Sequence, residues 1–125
     1  MDSVSINDFQ KLDIRIGTVV KAEVPQWSHW VIKLTVDLGE EIGERTIFAG
    51  VLGFYKPEDL EGKQSPFIVN LEPKKIGPEG DFSQGMMLAG VIKLDEPIKV
   101  MGSDTDEKPV LLMPSEKVPN GTKVR

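Results

Sequence analysis

The sequence predicts an all-β chain: a small closed barrel of five strands in Greek-key order, with one short helix between the third and fourth strands and a C-terminal extension. Three observations lead there. Alternation of apolar and polar residues runs from Leu12 to Val24, well beyond the usual strand of about five or six residues. Shorter alternating or β-branched runs follow at Val31–Leu38, Arg45–Gly50, Ser65–Asn70 and Met86–Leu94. Between the third and fourth of these five runs lies a single proline-led turn with acidic residues, which is a helix signal.

In chain order, Asn7–Lys11 reads as a short opening turn capped by Asn7 or Asp8. The first strand then places Leu12, Ile14, Ile16, Thr18, Val20, Ala22 and Val24 on one side and Asp13, Arg15, Gly17, Val19, Lys21 and Glu23 on the other. A strand of that length is expected to bend and serve two parts of a curved sheet, with Gly17, on its polar side, as the place for the coil or bulge. Pro25–Trp30 breaks the pattern. In the second strand Ile32, Leu34, Val36 and Leu38 face inward and Lys33, Thr35 and Asp37 outward. An acidic turn, Gly39–Glu44, leads to a third strand built on Thr46, Ile47 and Phe48. Tyr55–Leu60 is the helix, with Gly62 placed as its C-terminal glycine. The fourth strand begins near Pro66, at a strand start or an edge. From Asn70 to Gly90 the prolines, glycines and paired lysines describe a shaped surface loop between buried strands, the kind of segment in which function concentrates. Asp95–Pro109 is polar and expected to be a mobile connection, and Val110–Met113 is a short apolar strand closed by Pro114. Neither an internal repeat nor a second domain is evident, so residues 1–125 form one domain, with about 95–125 as its extension. Five strands, a long bent first strand and one helix after the third are the layout of the OB-fold, whose closure removes most open strand edges.

Composition narrows the chemistry. With 39% hydrophobic and 28% charged residues the chain is ordinary for a globular domain, and it is long enough to bury a core. No apolar run approaches a membrane span, and Met1–Ser5 lacks the features of a secretory leader, so a cytoplasmic protein is expected, without a membrane partner. There is no cysteine, which excludes disulfides and thiol catalysis, and a single histidine makes a metal site of His and carboxylates improbable. His29 is read as a structural or surface residue, because no serine or cysteine nucleophile motif accompanies it. The chain is therefore read as non-enzymatic, with no metal and no cofactor. The net charge of −5 runs against bulk nucleic-acid adhesion, so any such binding must rest on local placement of cations.

Several segments resemble one family. Phe9-Gln10-Lys11-Leu12-Asp13-Ile14-Arg15-Ile16-Gly17 is similar to the opening strand of the tRNA-binding domain family, which includes the C-terminal domain of many methionyl-tRNA synthetases and free-standing tRNA-binding proteins. Tyr55–Leu60 resembles its short helix, and Asn70-Leu71-Glu72-Pro73-Lys74-Lys75 followed by Ser83-Gln84-Gly85-Met86-Met87-Leu88 matches its most characteristic segment. Leu111–Pro114 and Val118–Val124 fit its tail, so the resemblance spans nearly the whole chain. It implies an OB-fold that binds tRNA by shape and backbone without catalysis, and not DNA. It also implies a homodimer formed through segments outside the barrel, with Val110–Met113 a candidate for part of that interface. A partnership with an aminoacyl-tRNA synthetase such as methionyl-tRNA synthetase follows from the same likeness. The section Val24-Pro25-Gln26-Trp27-Ser28-His29-Trp30-Val31, with Asp37–Gly43 after it, replaces the His-Pro-Asn-Ala-Asp-Lys-Leu-like turn of the tRNA-binding members and is more like CsaA-type proteins. Those share the fold and dimeric form but are associated with export chaperoning and polypeptide binding.

Within this resemblance the candidate RNA-binding residues have definite chemistry. Lys74 and Lys75 offer ammonium groups to phosphates, and Asn70 can donate and accept toward a ribose or base edge. Ser83, Gln84, Gly85 and Met86 form a confined turn in which the hydroxyl and backbone amides could hold a phosphate. Arg15 and Lys33 are expected to point outward from strands one and two, the face on which OB-folds commonly bind oligonucleotides. Trp27 and Trp30 suit stacking of unpaired bases, worth about 1–3 kcal/mol per base, or contact with a peptide or the dimer partner, or a place in the core at the barrel end.

Overall fold

The computed structural model describes residues 1–28 and 30–125; the reading of His29 lies outside the described residues. The elements in chain order are α1 (Ile6–Phe9), β1 (Ile14–Glu23), β2 (Ile32–Asp37), α2 (Gly39–Ile42), β3 (Glu44–Ala49), α3 (Pro57–Leu60), β4 (Gln64–Ile68), β5 (Lys74–Ile76), β6 (Asp81–Ser83), β7 (Met86–Met87), β8 (Ala89–Val100), β9 (Ser103–Leu111) and β10 (Thr122–Lys123). The main sheet runs β3-β2-β1-β4-β7, with β10 added to β1, and every pairing in it is antiparallel. It curls into a nearly closed all-β barrel of the OB kind. The predicted strand order, the long first strand and the helix between strands three and four all hold.

The core is the inner face of that sheet. Leu34, Val36, Leu38, Ile47 and Phe67 are fully buried, joined by Val19 and by Leu60 from α3. Each such side chain contributes about 1.5–3 kcal/mol of hydrophobic free energy. In β2 the expected alternation is observed residue for residue.

The first strand departs from its predicted phase. Its register against β2 slips between Val19 and Lys21, so a bulge lies at Val20 rather than at Gly17. Val19 is buried and Val20 is 45% exposed, the reverse of strict alternation. Gly17 faces the interior: a Cβ there would stand 2.7 Å from side-chain atoms of both Val36 and Leu38. The glycine is therefore needed for close strand packing, and the extra residue a little further on lets β1 turn from β4 toward β2. Arg15 shares the burial of this first half, at 4% exposure. Its guanidinium donates to Asp13 at 2.7 Å, to Glu41 on α2 at 3.2 Å and to the carbonyl of Gly121 at 3.2 Å, which ties β1, α2 and the C-terminal segment together.

Three smaller corrections have local causes. The opening helix is capped by Ser5, whose Oγ accepts from the amide of Asp8, rather than by Asn7 or Asp8. The fifth strand is two strands: β7 pairs with β4, and after Leu88 the chain leaves the barrel as β8. The polar segment Asp95–Pro109 is no loose connection but part of a long hairpin, β8 with β9. Its two-residue turn, Met101-Gly102, has positive φ at both positions (49° and 84°), as a twist-matched type I′ turn requires. Lys93 and Ile98 flank an irregular stretch containing Pro97, where the ladder needs no donor. Many apolar side chains of this hairpin face solvent, so its sequence lacks the alternation that marks a half-buried strand. The arm folds back on the barrel: Tyr55 Oη donates to the carbonyl of Pro109 at 3.2 Å, and Val100 packs on Gly53.

Barrel closure is the least regular feature. β7 is only two residues long, and the gap between β3 and the returning chain is bridged by side chains. The amide of Gln84 donates to Thr46 O at 2.8 Å, the amide of Thr46 donates to Gln84 Oε1 at 2.9 Å, and the amide of Phe48 donates to Ser83 Oγ at 3.0 Å. Ser83 Oγ in turn donates to Gly85 O at 3.0 Å. Arg45 adds donors to Val69 O and Gln84 O.

Two outcomes are expected. Ser83→Ala leaves the buried amide of Phe48 without an acceptor, so urea unfolding should show a loss of about 1–3 kcal/mol, whereas an exposed control such as Ser115→Ala stays within about 0.5 kcal/mol. The second concerns acid. Hydrogen bonds from Arg15 hold the carboxyls of Asp13 and Glu41 below their ordinary values. Because the folded state keeps them ionised where the unfolded chain binds protons, their stabilisation is complete above the ordinary carboxylate range. It is lost as pH falls from about 4 through the depressed values. Glu41 is 74% exposed and screened, so Asp13 supplies most of the effect. The thermal midpoint should fall as pH drops below about 4, with a shallower slope in Asp13→Asn.

Candidate nucleic-acid interface

Register fixes what the barrel presents on the outer side of β1–β3. Lys33 lies opposite Glu23 on one side and Phe48 on the other, and Thr35 lies opposite Lys21 and Thr46. Lys33, Thr35, Phe48, Thr46, Lys21 and Glu23 therefore share one surface. Two segments rise at its margin. The first is the turn after β1, where Trp27 covers Phe48 with ring centroids 6.1 Å apart and meets Trp30 edge-on at 5.9 Å. The second is the β5–β6 hairpin, which gives a regular two-stranded form to the shaped surface loop expected between strands four and five. In it Lys75 faces Phe82, so a cation and a half-exposed aromatic ring stand together, while Lys74 is paired with Ser83 on the other side.

A cleft of about 180 Å³ lies where the two margins meet, lined by Glu23, Gln26, Trp27, Lys33, Glu79 and Asp81 among others. One lysine and three carboxylates meet there, so the cleft itself does not attract phosphate. A second hollow, about 390 Å³, lies below the hairpin between Arg45, Asn70, Glu72 and Gln84.

The predicted site residues divide into two groups. Lys33 is half-buried on the shared surface, and Lys74 and Lys75 are exposed on the hairpin. Trp27 is half-buried at the margin and Trp30 is exposed at 53%. Met86 is exposed at the start of β7. These stand on or beside one face. The others are committed to the scaffold. Arg15 does not point outward as expected: it is buried and bound to Asp13, Glu41 and Gly121, because the slipped register turns the first half of β1 the other way. Asn70 Oδ1 accepts from the amide of Asp13 at 2.8 Å and Nδ2 donates to Lys11 O at 2.7 Å, which fastens the N-terminal segment to β4. Ser83, Gln84 and Gly85 make the barrel closure described above. The most characteristic segment of the sequence is thus largely architecture, and its two lysines are the cations it leaves facing solvent.

Sequence reading missed Phe48 and Phe82. The third strand is read as built on Thr46, Ile47 and Phe48 with no face assigned to any of them; period two with Ile47 and Ala49 inside puts Phe48 outside. Its burial comes from the covering indole, a contact distant in sequence. Phe82 sits in a stretch too rich in turn residues to show a strand, and only the Lys75–Phe82 pairing brings it beside a cation.

Comparison with known proteins agrees with this architecture. The family described as "Putative tRNA binding domain" matches residues 14–123. The chain is 43% identical over 123 residues to a methionine–tRNA ligase of Archaeoglobus fulgidus; the match covers 98% of this chain but 16% of the ligase. A similar share, 16%, is matched in the ligase of Methanococcoides burtonii, at 42% identity over 97% of this chain. The chain thus spans about a sixth of the length of these curated relatives. Among solved structures, a MetRS related protein from Pyrococcus horikoshii superposes with a TM-score of 0.81 at 36% identity, covering 100% of both chains. The chaperone CsaA of Bacillus anthracis gives 0.79 at 35% identity, covering 99% of this chain and 100% of the other. With the barrel and its marginal hairpin in place and the family match running from β1 to β10, the chain belongs to the tRNA-binding domain family.

Proposed function

We propose that this chain binds tRNA by shape and backbone, without catalysis, and serves an aminoacyl-tRNA synthetase such as methionyl-tRNA synthetase, in trans or as an attached module. The observation that carries the reading is the surface on which Lys33, the Lys74–Lys75 pair and Phe82 stand around an outer barrel face with Trp27 and Phe48 at its edge. Cations placed at intervals suit phosphates of a folded backbone, and exposed rings suit unpaired bases at a loop or an end. Carboxylates among them disfavour indiscriminate adhesion, so selectivity rests on geometry. The methionine–tRNA ligase relatives support synthetase partnership.

A second reading has its own observation. The CsaA structure covers 99% of the chain, and Trp30 with the neighbouring arm tip forms a groove of about 310 Å³ suited to a polypeptide side chain. We also propose that the chain is a homodimer, with the β8–β9 arm and Leu112–Met113 in the interface. Support comes from Val91, Ile92 and Ile98, between 43% and 64% exposed, on a two-stranded arm whose outer edges pair with no other strand among the described residues, and from Met113, 56% exposed, just past the end of that arm.

Filter binding at low salt should show tRNA affinity that falls in Lys74→Ala/Lys75→Ala across tRNA sequences, with the log–log salt slope reduced by about 2. No affinity in the parent protein, together with retained binding of an unfolded polypeptide that depends on Trp30, would put the chain with the second reading. Sedimentation equilibrium should give twice the 13.8 kDa chain mass, and Val91→Lys/Met113→Lys should shift it toward the single-chain mass; a single-chain mass in the parent would rule out self-association.

A further inference from the structure

We infer that Trp27 is a latch for the lysine-bearing hairpin: its indole, seated on Gly77, holds the far end of β5–β6 over the outer barrel face, so that Trp27 positions Lys74 and Lys75 instead of serving as a platform for a base. The seat is specific. Gly77, at the turn of the hairpin, has φ of 74°, and a Cβ added there would lie 2.4 to 2.6 Å from three atoms of the six-membered ring of Trp27. The ring therefore occupies the volume a side chain would take. No other residue type fits at 77, for reasons of both space and backbone conformation.

The hairpin needs such support. Its strands are three residues each and form a two-stranded sheet of their own, a unit of marginal stability in water. Its base is anchored to β3 through Ser83 and Gln84, but that anchorage is at the barrel end, opposite the turn from Gly77 to Gly80. The indole is itself fixed from behind, by Phe48 at 6.1 Å and by Trp30 at 5.9 Å, and the turn that bears it is closed by Ser28, whose Oγ accepts from the amides of Trp30 and Val31 at 3.2 and 2.9 Å. A ring packed against the sheet on one side and a glycine backbone on the other has little face left for a nucleobase. Trp30, 53% exposed, is the ring better placed to meet a ligand.

The consequence for affinity rests on the tRNA-binding reading, whereas the latch itself is measured on the protein alone. Amide hydrogen exchange of Lys74–Ile76 and Asp81–Ser83 should quicken by about tenfold or more in Trp27→Ala, and in Gly77→Ala, while core amides of β1 and β2 keep their protection. Trp27→Leu, which keeps apolar bulk against Gly77 but cannot stack on a base, should restore most of the protection. In combination, Trp27→Ala and Gly77→Ala should cost little more than Gly77→Ala alone, since both break one contact and the glycine replacement adds its positive-φ strain in either background. Hairpin exchange unchanged in Trp27→Ala overturns the latch, whatever RNA does. If the protein binds tRNA, Trp27→Ala should weaken it and lower the salt slope, as loss of ordered lysines requires, and Trp27→Leu should recover both. A weakened affinity with an unchanged salt slope and no recovery in Trp27→Leu would assign Trp27 to base stacking and overturn the inference.

Discussion

A barrel of this kind stands or falls on how its last strand returns to its third, and here that return is made by two side chains. Ser83 and Gln84 supply the acceptors that the amides of Phe48 and Thr46 would otherwise find in a neighbouring strand. A ladder would need several residues in register; two polar side chains and one backbone amide do the same work over a shorter stretch. The amide of Phe48 is buried, and leaving it unpaired would cost free energy, so the identity of Ser83 is fixed by closure before any ligand is considered. Everything beyond them, the β5–β6 hairpin on one side and the departing β8–β9 arm on the other, takes its direction from this point.

A second polar node works at the opposite end. Arg15 is charged, buried and surrounded by two carboxylates and a carbonyl, and it links the first strand, the α2 turn and the C-terminal segment. Near it Gln64 donates to Val118 O at 2.7 Å and accepts from its amide at 3.0 Å, so the tail is strapped to β4. Such buried polar groups add modest net stability when satisfied, but losing one partner is costly, which makes them effective at specifying a single arrangement. Together the two nodes free the outer face of β1–β3 from structural duty.

What remains on that face is a mixed surface. Lysines, carboxylates and rings alternate, in a chain of net charge −5. Long-range attraction for a polyanion is weak under those conditions, and the proposed recognition rests on fit at short range. The relatives place the same domain in two settings: within methionine–tRNA ligases several times its length, and as a chain of matching size in the Pyrococcus horikoshii structure.

The sequence by itself determined the strand order, the inward residues of β2, the position of α3 and the family, because these follow from period-two alternation, proline and glycine placement and local motifs. It also singled out Lys33, Lys74 and Lys75, whose exposure follows from strand phase or from a turn-rich surroundings. What it could not determine was the use of polar residues whose partners are remote. Arg15, Asn70, Ser83 and Gln84 look like ligand-binding groups in one dimension, since a hydrogen-bonding side chain carries no mark of where its partner lies. A one-residue bulge at Val20 reversed the phase of β1 and turned Arg15 inward, and a bulge leaves no signal in composition. The arm from Ala89 to Leu111 escaped for the opposite reason: with solvent around it, no burial imposed an alternation to be read. Tertiary structure decided these matters because each depends on contacts between segments tens of residues apart.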